Sequence, residues 1–106
     1  MRDTTLAGVL PVFQTPYRDD ETIDTATLEA EIEWLYDCGA DGIVLGMVSE
    51  VLRLSSNERQ ALTEATCTAV NGRVSVTTSV GAESMHTAIR FARHAQQAGA
   101  DAVMAI

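Results

Sequence analysis

The chain has 106 residues, seven Lys+Arg against fifteen Asp+Glu, and 46% hydrophobic residues, enough for one domain with a modest core. A formal net charge of −8 excludes a phosphate-backbone binder, which needs clustered positive charge. No apolar run approaches the ~18–20 residues of a transmembrane helix.

Leu6–Phe13 is a short apolar run rich in strand formers, stopped by Gln14, Thr15 and Pro16. The polar stretch from Tyr17 to Thr22 reads as a solvated loop. Asp24 offers an N-cap, and Leu28, Ile32 and Leu35 then recur at helical spacing to about Cys38, with Gly39 as the stop. Glu29, Glu31, Glu33 and Asp37 fall mainly off that apolar line. Gly42–Gly46 reads as a strand apolar on both faces. Ser55 and Glu58 have the spacing of a capping box, and the helix they open carries Leu62, Ala65, Ala69 and Val70 on its inner side before ending at Asn71 and Gly72. A further strand covers 74–80. Ser84 caps a third helix with Ala88, Ile89, Ala92 and Ala95 inward, ending at Gly99, and the segment from Asp101 begins another strand.

An internal echo organises these pieces. Gly39-Ala40-Asp41 precedes one apolar run and Gly99-Ala100-Asp101 precedes another, separated by two βα units of roughly 30 residues each. Apolar strands alternating with amphipathic helices indicate a parallel sheet, either an open doubly wound sheet or a (β/α)8 TIM barrel. No glycine-rich phosphate fingerprint follows the first apolar run, where a dinucleotide fold places it, so the α/β TIM barrel is expected. About 250 residues complete such a barrel; residues 1–106 then form the N-terminal part of a single barrel domain, with three βα units and strand four.

Barrel chemistry gathers at the C-terminal ends of strands, here 13–16, 46–50 and 78–81. Ser49 and Glu50 follow closely on Gly46, and consecutive backbone N–H groups there can form a nest for a carboxylate; the plainer alternative is that both side chains only shape the loop. His86 and His94 point about 80° apart on one helix, so no metal site is expected of them. Asp19, Asp20 and Glu21 read as loop residues and Asp24 as a cap, without calcium-loop spacing. Met85 and Met104 read as core fillers. Cys38 and Cys67 form no CxxC pair and read as reduced, half-buried residues. Met1–Thr5 lacks the apolar stretch of a secretory signal, so a cytoplasmic location is expected.

Gly8–Pro16, Gly46-x-x-x-Glu50, Leu54-Ser-Ser-Asn-Glu-Arg59, Val80-Gly81 and Ala98–Ala102 occur in that order. The set resembles the N-terminal part of the dihydrodipicolinate synthase / N-acetylneuraminate lyase family, over essentially the whole chain. The resemblance implies a lyase that uses a lysine Schiff base with pyruvate or another 2-oxo acid, for aldol cleavage or condensation. It implies a small-molecule partner, a homotetramer built as a dimer of dimers, and no metal or cofactor. The family's Gly-Thr-Thr-Gly-Glu falls on Gly46–Glu50. Gly46 and Glu50 match, while Met47, Val48 and Ser49 depart. Val48 and Ser49 can still offer backbone N–H groups to a substrate carboxylate, Val12 and Met47 would line the pocket, and Glu50 would support the loop.

Met47 lacks the hydroxyl that the family's first threonine gives to a proton relay, which points toward 2-keto-3-deoxy-sugar-acid dehydratases as the alternative. The family's imine-forming lysine and its tyrosine come from later strands, expected beyond Ile106; all seven cations of this chain are arginines. A non-catalytic module of this length would instead associate through its uncovered last strand.

Overall fold

A computed structural model describes residues 6–46 and 53–105. Three helices alternate with three strands: α1 (Thr25–Asp37), β1 (Gly42–Leu45), α2 (Ser56–Val70), β2 (Ser75–Ser79), α3 (Met85–Ala98) and β3 (Ala102–Met104). The sheet is parallel in the order β1-β2-β3, with Val44 opposite Thr77 and Thr77 opposite Ala102. Right-handed crossovers between strands taken in sequence order put successive helices on one face. A doubly wound sheet needs a reversal of strand order, and the described strands contain none.

The helix boundaries follow the capping chemistry of the sequence. Asp24 accepts the Thr27 N–H at 3.1 Å, Ser55 and Glu58 form the reciprocal capping box, and Ser84 accepts the Thr87 N–H. Asn71 and Gly99 end α2 and α3 in the left-handed region. The core lies between the helices and one sheet face, with Leu28 and Ile32 of α1, Leu62 and Val70 of α2 and Ala95 of α3 against Ile43, Leu45 and Val76.

Four expectations change. The first apolar run is not a full strand: it meets β1 through a single parallel bridge, Val12 to Val44, because Pro11 has no N–H to give and Gly8 turns the chain at φ +86°. Residues 17–23 fold back on themselves rather than lying loose, with the Arg18 N–H bonded to the Thr22 carbonyl at 2.7 Å and Glu21 at positive φ. On α3 Ala95 faces inward as expected and Phe91 joins it, while Ile89 is 41% exposed and Met85 76% exposed. Cys38 is exposed rather than half-buried, whereas Cys67 is half-buried as its sequence context predicts.

The Gly-Ala-Asp echo has one physical meaning at both copies. After each left-handed glycine, the aspartate sits at the N-terminal end of a strand and clasps the backbone of its neighbour. Asp41 donates its N–H to the Val9 carbonyl at 2.9 Å and accepts the Val9 N–H on Oδ2 at 2.8 Å. Asp101 does the same with Val76, at 2.8 and 2.9 Å. The carboxylate stands in for a ladder carbonyl where regular pairing has not yet begun.

Candidate functional site

Side-chain alternation divides the sheet into two faces. Ile43 and Leu45 join the helix-side core, and Thr78 reaches Thr63 of α2, with their hydroxyl oxygens 3.2 Å apart. Gly42, Val44 and Gly46 therefore face the other way, as do Ser75, Thr77 and Ser79. Register adds Ala102 and Met104 of β3.

That second face rises in layers toward the C-terminal ends of the strands. A Cβ on Gly42 would stand 2.2 Å from Ser75 Oγ and 2.7 Å from Leu10 Cδ2, which marks the bottom layer. Val12, Val44, Thr77 and Ala102 form the next. At the top, a Cβ on Gly46 would meet Val12 Cγ1 at 3.4 Å, Met104 Cε at 3.5 Å and Val44 Cγ1 at 3.9 Å. Met104 thus lays its thioether across the sheet to the end of β1, while Ser79 beneath is only 5% exposed. Val12, Val44 and Met104 present carbon and sulfur, and Thr77 and Ser79 present hydroxyls. These groups can shape a ligand; none of them ionises near neutral pH.

Of the residues expected to form the site, Val12 sits on this floor, 40% exposed and bridged to Val44. Met47, Val48, Ser49 and Glu50 lie outside the described residues. Met104 is half-buried floor rather than an interior filler. His94 is half-buried, its Nε2 2.7 Å from Glu64 on α2, and His86 is exposed.

The sequence reading missed Arg59. This side chain is 9% exposed; its Nη1 donates to the Gly81 carbonyl at 2.9 Å and its Nη2 to the Ser79 carbonyl at 3.1 Å. The guanidinium carbon lies 4.0 Å from the centre of the Phe91 ring, a cation–π contact. Burial lowers its pKa below the ordinary guanidinium value, and it remains a cation at neutral pH. The signal was present in the spacing: Arg59 shares the helical repeat of Leu62, Thr63, Thr66 and Val70, the buried residues of α2. Beside it lies a cavity of about 10 Å³ between Thr63, Thr78, Phe91 and His94, at the lower limit for one water.

The Dihydrodipicolinate synthetase family model matches residues 5–106. A 4-hydroxy-tetrahydrodipicolinate synthase of Rhizobium meliloti is 39% identical over 93% of this chain and 34% of its own length. A probable 2-dehydro-3-deoxy-D-pentonate aldolase of Escherichia coli is 35% identical over 94% of this chain and 34% of its own. Among solved structures, a putative dihydrodipicolinate synthetase from Pseudomonas aeruginosa superposes with a TM-score of 0.93 at 30% identity, over 95% of this chain and 35% of that one. A prophage protein of the dihydrodipicolinic acid synthase family from E. coli, solved in complex with pyruvate, matches equally well, over 96% of this chain and 35% of that one. The chain spans about a third of the length of the relatives it matches.

Proposed function

Because this chain belongs to the dihydrodipicolinate synthetase family, we propose that the protein carrying it is a Schiff-base lyase acting on pyruvate or another 2-oxo acid. Residues 1–106 are the N-terminal part of its single (β/α)8 barrel. The observation that carries this reading is the floor at the end of β1, where Val12 and Met104 close around Gly46, directly before residues 47–50 in the sequence. Val48 and Ser49 offer backbone N–H groups to the substrate carboxylate, Val12 and Met47 line the pocket, and Glu50 braces the loop. A lysine and a tyrosine from later strands complete the site: the lysine amine condenses with the ketone and releases water, and the protonated imine then accepts the electron pair of the bond that breaks. The assembly is a homotetramer built as a dimer of dimers, in the cytoplasm.

A second reading within the same chemistry is a 2-keto-3-deoxy-sugar-acid dehydratase. Met47 favours it, since a thioether cannot relay a proton as a threonine hydroxyl does. Treatment of the whole protein with pyruvate and borohydride tests the shared step: intact mass should rise by one reduced pyruvate per chain, located on a lysine. No adduct would overturn the proposal. Incubation with 2-keto-3-deoxy sugar acids then separates the two readings, by pyruvate release for the aldolase and water loss alone for the dehydratase.

A further inference from the structure

The side chains that surround Gly46 differ in stiffness. A Cβ there would lie 3.4 Å from Val12 Cγ1, 3.5 Å from Met104 Cε and 3.9 Å from Val44 Cγ1. Val12 and Val44 are β-branched and joined by a parallel bridge, so neither has much rotamer freedom. Methionine is unbranched and rotates along its whole length. The backbone of Met104 is fixed, since its carbonyl accepts the Val80 N–H at 2.9 Å. Only its thioether, which reaches past β2 to Gly46, can yield.

The hydroxyl at the same level is already committed. Ser79 stands opposite Met104 in the ladder and is 5% exposed. Its Oγ accepts the Gly81 N–H at 3.4 Å. Val12 is 40% exposed and Met104 half-buried, so carbon and sulfur are what this floor offers a ligand.

We propose that Met104 is a specificity-determining residue: its thioether limits the length of the alkyl tail on the 2-oxo acid that the site accepts. The inference rests on the Schiff-base reading above and adds to it the group that selects by size. Alanine at 104 removes Cγ, Sδ and Cε, the space of a short alkyl tail, while the two valines hold the rest of the floor.

In the whole protein, borohydride trapping gives the half-saturating concentrations of pyruvate, 2-oxobutanoate and 2-oxopentanoate. Relative to wild type, Met104→Ala should shift the preference toward the longer acids by about fourfold for each added methylene. Met104→Leu is close in volume, which protects folding, and lacks the terminal methyl that meets Gly46. It should shift the preference in the same direction by less. Val103→Ala, on the same strand and the opposite face, should leave the wild-type preference unchanged.

A wild-type preference in both Met104 variants would overturn the specificity role. An equal shift in Val103→Ala would overturn it as well, by tracing the effect to a loosened strand. If the wild-type protein traps none of these acids, the Schiff-base reading falls and this inference with it; trapping with an unaltered preference in the Met104 variants removes the role of Met104 alone.

Discussion

At the scale of single residues, Gly42 is constrained by space and Asp101 by a donor. A Cβ at 42 would fall 2.2 Å from Ser75 Oγ and 3.1 Å from the Ser75 carbonyl oxygen, so Gly42→Ala should destabilise by roughly 1–3 kcal/mol, the usual cost of overpacking. Urea unfolding measures it, and adding Ser75→Gly should recover part of the loss. Asp101 holds the Val76 N–H at 2.9 Å; Asp101→Ala strands that donor at a cost of about 1–3 kcal/mol, visible as faster exchange of the Val76 amide. The pattern of the Gly-Ala-Asp echo was legible in the sequence. Its purpose was not, because the partner residues Val9 and Val76 lie 32 and 25 positions away from their aspartates.

At the scale of elements, the helices were readable because their signals are local. Asp24, Ser55 and Ser84 cap helices where their side chains reach the N–H three residues on. Ser55→Ala should cost about 1 kcal/mol, read as a lower urea midpoint with an unchanged slope. The first apolar run was harder to read: strand propensity favours it, and only the sheet reveals that Pro11 and Gly8 reduce its pairing to one bridge. Likewise, Phe91 is buried and Ile89 is not, because the Arg59 guanidinium lies over the Phe91 ring, a contact that hydrophobic periodicity does not reveal. The floor at Gly46 needed the register of three strands before Met104 could be placed on it.

For the whole molecule, the link between α1 and the end of α2 sets an acid limit. Arg73 donates to Glu33 from Nη1 at 3.1 Å and lies over the Tyr36 ring at 4.6 Å. The hydrogen bond from Arg73 holds the Glu33 pKa below its ordinary 4.5. Hydrogen bonds from Thr22 and Thr27 likewise lower Asp20 and Asp24 below 3.8. As pH falls, the unfolded chain takes up these protons first, so the stabilisation is present above the ordinary values and is lost on acidification through the folded ones. Glu31 opposes this trend: burial raises its pKa, so protonation relieves a cost in the folded state. Melting temperature should therefore fall on acidification below about pH 4, and Arg73→Gln should make that fall shallower.

The aspartate clasps and the Gly46 floor occupy opposite ends of the same strands. Residues 8–11, 39–42 and 99–101 thus form a region where a designer can seek heat tolerance while leaving the Gly46 floor untouched. Random variation should sort the same way: lesions at that end should show as less protein per cell, and lesions around Val12, Gly46 and Met104 as normal amounts of protein with altered substrate choice.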